Sequence, residues 1–483
     1  MKKYLFVIIF SVSSCFSQEQ FGLLHSNYLP TITTLYNPST VLDSKTWLDI
    51  HIVGIGSYLN NNFVSLKNNS FYSIYKTDGA NIDEDDLDFN SNRRNIQAYN
   101  RTFVNILSAT WSQGDFGAGL FFNARSFTHA RGIPEFVGNF IENGVPNYTE
   151  QHNIDYKLKN VYASSIAFGE VQASFAYTFY KKQRNMMMAG ISIKKFFSGA
   201  GGALNLYNFE FNVNSDTLTS VFNLQADAMA TTNPEFFVKA GIGFDLGFTY
   251  QKMLSDCSSY KPNSKKSGCR QQFYKYSLSA ALIDLGSIKF APNSVQFAGY
   301  DFDLYDWFNY ANTEVDEDDP TNLFENQESD INSGTVKKTD RIVLPRALHV
   351  SGDYNVWASR FFVSGSLFQS IPISRSKFGV RRANSLAVSA RFEMKWFEVS
   401  VPISLYEYYR PQLGLSLRLY CLTIGTDKLL HIFGKSDLYG GDIYLHLNVP
   451  IFYNPKCKQR IKSGTNYDPG RIKNKRKCEA YSS

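Results

Sequence analysis

Carboxylates crowd two stretches of this 483-residue chain. Asp78, Asp83, Glu84, Asp85, Asp86 and Asp88 form one cluster; Asp301, Asp303, Asp306, Glu314, Asp316, Glu317, Asp318 and Asp319 form another. Calcium takes about six to eight oxygen ligands, which such density could supply. Neither stretch has EF-hand spacing with its central glycine and terminal glutamate, so both read as solvated loops. The seven histidines (His25, His51, His129, His152, His349, His431, His446) are scattered, without the His-Glu-x-x-His spacing of a zinc helix. There is no Gly-x-Ser-x-Gly elbow and no phosphate-cradling glycine loop. Gly199–Gly202 lies beside strand-like sequence, where glycines mark bends. No catalytic residue, metal or cofactor is therefore expected, and the chain does not read as an enzyme.

Thiol chemistry depends on the compartment. Met1-Lys2-Lys3 and the apolar Tyr4–Phe10, followed by small residues ending at Ser17, make residues 1–17 a signal peptide cleaved before Gln18. The rival is lipidation at Cys15, because Val12-Ser13-Ser14-Cys15 loosely resembles a lipobox. Export permits disulfides. Cys257 and Cys269 flank a polar loop and Cys457 and Cys478 bracket a basic tail; either bridge would stabilise by roughly 3 kcal/mol. No Cys-x-x-Cys pair occurs, so thioredoxin-type chemistry has no support.

The remaining candidates are charges that only a particular kind of element could put to use. From Leu386 to Trp396, Leu386, Val388, Ala390, Phe392, Met394 and Trp396 alternate with Ala387, Ser389, Arg391, Glu393 and Lys395. Phe397–Leu405, Leu413–Cys421, Val238–Tyr250 and Ile443–Ile451 repeat the pattern. One apolar and one polar face at period two is a strand with different solvents on its two sides. About 14 such runs, or about 16 with the weakest included, each approach the ~9–11 residues that a tilted transmembrane strand needs. The composition agrees: 43% hydrophobic and 16% aromatic, with 40 Phe and 30 Tyr, yet no apolar run long enough for a membrane helix. The fold class is thus all-β, a transmembrane antiparallel β-barrel over 47–453. A soluble sandwich would use shorter strands, of about 5–6 residues.

By this parity Lys239, Asp245, Arg391, Glu393, Lys395, Glu398 and Arg418 face the lumen, as a structural network or a polar path. Cys421 falls on the lipid face. Gln113-Gly114-Asp115, Lys181–Asn185 and the Lys395-Trp396 corner read as tight turns, while 70–97, 129–159, 253–272 and 300–340 read as long loops. A barrel of ~14 strands is too wide for wall side chains alone to fill. Residues 18–46 are moderately apolar, do not alternate and are too short for a domain, so they are the candidate plug.

Asn37-Pro38-Ser39, with Asp43-Ser44 and Trp47-Leu48-Asp49-Ile50, resembles the Asn-Pro-Ala hatch motif of long-chain fatty-acid transporter-like barrels. The set is still more similar to an outer-membrane family of Bacteroidota known as a domain of unknown function. Asn60-Asn61-Asn62, Asp245–Tyr250, Leu278-Ser279-Ala280, Ile283-Asp284-Leu285-Gly286, Ile424–Leu430 and Gly441–Ile451 extend the resemblance over about residues 22–452. It implies an outer-membrane barrel with a hatch at Asn37, Pro38 and Ser39, and no catalytic residues. Ser39 stands where the motif has alanine.

Residues 454–483 carry nine Lys/Arg against Asp468 and Glu479, while the rest of the mature chain has 38 bases against 41 acids. The basic charge belongs to a periplasmic tail, suited to anionic headgroups, cell-wall polymer or an acidic protein partner. Outer-membrane lipid is the expected environment; nucleic acid is not an expected partner. Two functions compete. A hatch-plugged barrel would pass a small solute, hydrophobic ones included, through a pocket lined by aromatics. A structural or accessory subunit of an outer-membrane secretion or barrel-assembly machine would close its lumen with Arg/Glu pairs and dock partners through its loops and tail.

Overall fold

The computed structural model describes residues 19–70, 72, 76, 87–89, 96–137, 149–214, 218–231, 239–264, 271–290, 292–298, 302–305, 341–374, 377–433, 436–455 and 457. The signal segment with Cys15, nearly all of both acidic clusters, Cys269, Cys478 and the tail beyond Cys457 lie outside the described residues.

Fourteen strands form a closed antiparallel barrel, which settles the count at the lower of the two expected values. They are β1 (Leu48–Asn61), β2 (Ile96–Gln113), β3 (Phe116–Ile133), β4 (Asp155–Lys182), β5 (Asn185–Val213), β6 (Lys239–Met253) and β7 (Tyr274–Lys289). Then come β8 (Ala347–Trp357), β9 (Phe361–Ser370), β10 (Ser385–Glu393), β11 (Phe397–Tyr406), β12 (Arg410–Leu413 and Leu415–Leu419, broken at Gly414), β13 (Leu422–Thr426) and β14 (Gly440–Ile451). The ring closes where Leu48 pairs with Ile451 and runs on to Asn60 opposite Gly440. On its other side β1 meets β2 at Asn61↔Ala98, with Ser112 N donating to Trp47 O at 3.0 Å at the far end.

Alternation fixes which side chain meets which solvent. In β10, Leu386 and Val388 point outward, 40% and 54% exposed, while Arg391 and Glu393 are each 1% exposed inside. Outward Ile242, Phe244, Leu246 and Phe248 of β6, and Ile443, Leu445 and Val449 of β14, continue the same apolar band. Trp396, Tyr420 and Phe452 cluster at the turn end, with ring centroids 4.5 and 5.4 Å from Trp396, the girdle expected at an interface. Among the described residues no helix is long and apolar enough to cross a membrane.

Three expectations change. Strands β4 and β5 run 28 and 29 residues, well beyond a membrane, and with strands at Leu218–Thr231, Pro292–Ala298 and Phe302–Tyr305 they extend the wall past the loop end. Their outer halves keep pairing because the hydrogen-bond ladder does not need lipid, so the connection read as 129–159 shortens to 134–154. The 254–273 loop belongs to the tight-turn end, since Gly114 N donates to Pro262 O and Met253 N to Arg184 O. Cys421 is a free thiol in the two-residue turn between β12 and β13, rather than on a lipid-facing strand.

Candidate functional site

Residues 19–46 lie inside the barrel and are nearly all buried. They enter near the loop end, where the Glu19 carboxylate accepts from Arg101 at 2.8 Å and from Arg382 at 2.9 Å. They leave at the turn end, where Lys45 N donates to Asn27 O at 2.8 Å and the Thr46 carbonyl accepts from Ser112 Oγ at 3.1 Å. Between these ends a single helical turn (Pro30–Thr33) and a 3-10 turn (Pro38–Leu42) cross the lumen.

The motif Asn37-Pro38-Ser39 starts the 3-10 turn. Asn37 is its N-cap, with Oδ1 accepting from Ser39 N at 3.0 Å and from Ser39 Oγ at 2.7 Å, and Pro38 occupies the first position, where no N–H is needed. The turn lies on β5 and β6, with Asn37 Nδ2 donating to Thr249 Oγ1 at 3.3 Å and Ser39 Oγ bonded to the same oxygen at 2.7 Å. Two glycines paired across the ladder, Gly190 and Gly247, flatten the wall beneath it. A Cβ on Gly247 would fall 2.0 Å from Asn37 Oδ1, and one on Gly190 would fall 2.5 Å from Pro38 C. Serine in place of alanine at position 39 thus adds a wall contact.

The upper half of the plug is held by apolar contact. Phe21, Leu23, Leu24, Leu29, Ile32 and Tyr36 pack on Ala281, Ile283, Ala347, Phe368, Ala387 and Tyr444 of the wall. Polar bonds place it along the strands: Ser26 Oγ to Glu398 at 2.7 Å, Asn27 to Glu393, Thr31 Oγ1 to Asp49 at 2.6 Å, and His25 to Ser366 at 2.7 Å. Burial, with Arg391 nearby, lowers the His25 pKa to about 3, so its imidazole is neutral. Phe21 N donates to Asp427 at 3.0 Å. Burial and the adjacent Asp442 carboxylate push Asp427 well above the usual carboxylate range.

Of the charges assigned to the lumen, Asp245, Arg391, Glu393, Glu398 and Arg418 are there, buried and paired. Arg391 reaches Asp353 at 2.8 Å and Glu393 at 3.1 Å; Arg418 reaches Glu398 at 3.0 Å. Lys395 is not a lumen residue. The chain turns between Glu393 and Phe397, and its ammonium sits over the rings of Phe452 and Tyr453 at 4.4 and 4.6 Å. Lys239 begins β6, and its side chain lies outside the described residues.

Cys257 carries a free thiol, so the expected Cys257–Cys269 bridge is not formed. Its Sγ turns inward to the Asn185 carbonyl at 3.4 Å and packs with Met186, Met188, Met253 and Tyr260. Cys457 is buried just after the barrel; Cys478 lies outside the described residues.

Among the described residues the largest charge cluster centres on a residue that the alternation did not mark as charged lumen, Asp284. It accepts from Arg125 through both oxygens at 2.7 Å, from Lys194 at 2.8 Å and from Arg382 at 2.7 Å. Lys194 also pairs with Asp245 at 2.8 Å, and Arg125 with Glu170 at 3.0 Å. With Glu19 and Arg101 the cluster holds four acids and four bases. A bulge aims Asp284 inward: the β6–β7 register breaks between Leu282 and Leu285, and Asp284 takes φ +57° with its N–H on Asp245 at 2.7 Å. Chemically, the site is a closed polar lumen rather than a reaction centre. Among the described residues no group of His, Cys, Asp and Glu is arranged to hold a metal ion.

Two spaces among the described residues bear on passage. Beside residues 19–46 a space of about 30 Å³, room for a water molecule, lies between His25, Asn37, Thr249, Tyr274, Ser277 and Asp353. At the loop end a separate cavity of about 530 Å³ lies between β3–β5 and the 371–381 segment.

Among solved structures, a TodX variant described as a monoaromatic hydrocarbon channel aligns at 9% identity and TM-score 0.39, over 86% of this chain and 93% of that one. The toluene transporter TodX of P. putida gives 9% and 0.34 over 86% and 91%, and the monoaromatic hydrocarbon channel CymD gives 7% and 0.32 over 90% and 94%. At these scores the likeness transfers neither a residue nor a ligand. No curated protein matches. A family model described as a family of unknown function, DUF5723, matches residues 38–427, from Pro38 to Asp427, and the chain belongs to that family.

Proposed function

We propose that the protein is an outer-membrane barrel, exported by a cleaved signal peptide, that passes a small solute when its plug, residues 19–46, moves. The observation that carries this is the interruption of the route. A 530 Å³ cavity stands at the loop end, while the space found beside residues 19–46 among the described residues, between His25, Asn37 and Asp353, is about 30 Å³. Passage therefore needs displacement of the plug, with Asn37, Pro38 and Ser39 as the hatch turn. The hatch bonds to Thr249 are polar contacts that water can replace, so their net cost is about 0.5–1.5 kcal/mol each. Withdrawal would bare Ala281, Ile283, Ala347 and Phe368 on the wall, a surface compatible with hydrophobic solutes. Swelling of proteoliposomes in solutes of graded size tests the reading. Faster swelling with a hatch-weakened variant supports it; swelling at the rate of empty liposomes for parent and variant alike refutes it.

A second reading has its own observation. The buried Arg391–Asp353, Arg391–Glu393 and Arg418–Glu398 pairs lie beside residues 19–46, and such pairing would suit an accessory subunit that carries no solute. Its partners would dock on the loops and on the tail, 454–483. Purification in mild detergent followed by mass spectrometry separates the two, because stoichiometric partners favour the accessory role.

A further inference from the structure

The loop-end cavity has a composition of its own. One wall comes from β3, β4 and β5, with Arg131, Tyr162 and Asn205; the other comes from the segment after β9, with Lys377 and Arg381. Among the described residues no carboxylate lines it. Arg381 is partly engaged, donating to Tyr99 Oη and to Glu407, each at 3.2 Å. Arg131 stacks over Tyr162 at 4.9 Å, and its Nε is buried without a hydrogen-bond partner. The lining His129 is 2% exposed, and its Nε2 is also buried without a partner. Buried polar atoms left unpaired in the wall of a polar cavity cost about 1–3 kcal/mol each and mark where a ligand or ordered water belongs.

The inner wall is a built structure. Ser164 Oγ of β4 donates to Gly379 O at 2.9 Å, Val380 N to Val343 O at 3.0 Å, and Ile371 N to Arg346 O at 3.1 Å. Cations held in a concave, partly buried site attract anions more strongly than the same cations on an open surface. Guanidinium groups favour the paired oxygens of carboxylate and phosphate. The amide of Asn205 and the ring face of Tyr162 suit hydroxyls and a sugar ring, and the volume lies within the ~300–1,000 Å³ of ligand pockets.

We propose that this cavity is a binding site for an acidic saccharide: a sugar bearing carboxylate or phosphate, held by Arg131, Lys377 and Arg381. The site does not depend on movement of the hatch. The same chemistry is found in a free acidic sugar and in the phosphorylated sugar headgroup of an outer-leaflet glycolipid.

The test is isothermal titration of the full chain in neutral detergent with glucuronic acid, glucose 6-phosphate and glucose, repeated with vesicles containing a lipopolysaccharide. Saturable binding of the acidic sugars but not glucose is expected, weakened about 10-fold or more in Arg131→Gln and in Lys377→Gln and weakened by salt. Binding confined to the lipopolysaccharide vesicles, with the same loss in the variants, keeps the site and assigns it to the glycolipid. Absence of binding in both arms, equal binding of glucose, or affinity unchanged in both variants would overturn the proposal. Lys377→Gln lies outside the strands and guards against a folding defect in Arg131→Gln, and heat-modifiable gel migration checks both.

Discussion

Alanine at Gly247 should open the barrel without unfolding it. The new Cβ would lie 2.0 Å from Asn37 Oδ1 and 2.8 Å from Pro38 Cδ, where ordinary contact begins at 3.4 Å. The wall cannot yield, because β6 is paired on both sides, with Gly190 opposite Gly247 in one ladder and Ala281 in the other. The hatch turn must therefore retreat by roughly 1.4 Å, which stretches the 2.7 Å Ser39–Thr249 bond and the 3.3 Å Asn37–Thr249 bond beyond hydrogen-bonding range. Losing two bonds costs about 1–3 kcal/mol, and overpacking adds about 1–3 kcal/mol. Even about 2 kcal/mol shifts the ratio of closed to open plug by roughly 30-fold. Planar-bilayer recording at fixed voltage reads this as a rise in open time. Gly169→Ala, whose Cβ meets only Phe197 Cβ at 3.6 Å, is the control. If Gly247→Ala folds as a barrel and its open time equals that of the parent, the glycine-flattened seat does not hold the plug.

Other outcomes follow from the same contacts. Asp284→Asn leaves Arg125, Lys194 and Arg382 short of one negative charge in a buried cluster, so the temperature of the heat-modifiable gel transition should fall by an amount reflecting about 3–5 kcal/mol; an unchanged transition would contradict the hub. His25 is protonated near pH 6.5 when unfolded but only near 3 when folded, so the unfolded chain binds more protons between those values and stability should fall as pH drops from about 6.5 towards 3. Thermal unfolding of His25→Gln at pH 7 and pH 4.5 should show a smaller loss than the parent, and an equal loss would refute the assignment. Non-reducing peptide mapping should find Cys257 unlinked and Cys457 in a disulfide; a Cys257–Cys269 peptide would reverse this account of the 254–273 loop.

The barrel was legible in the sequence because lipid and lumen impose opposite demands on alternate residues. Leu386 and Arg391 fall on opposite faces by parity, and the fold keeps them there. Parity also explains what was missed. Asp284 follows the apolar Ala280-Ala281-Leu282-Ile283 run, and only the bulge that admits an extra residue turns it inward. The alternation from Val171 to Phe179 extends one step back to Glu170, which makes Glu170 a lumen residue, but its partner Arg125 sits in a strand whose pattern is less clean. The seat of the hatch was hidden for a different reason. Gly190 and Gly247 are separated by a strand hairpin and the extended outer sheet, and they become one surface only when β5 and β6 pair. Lys395 was misplaced because alternation carries no mark of where a strand ends, and the chain turns at Glu393.

The most direct measurement of the central claim is single-channel conductance of the mature chain with and without residues 19–46, on barrels verified by heat-modifiable migration. Residues 19–46 packed into the lumen, with a space of about 30 Å³ beside them, predict a closed or weakly conducting parent and a large, stable conductance in the deletion. Equal conductance in the two would contradict the account, because residues 19–46 would then not be what closes the lumen.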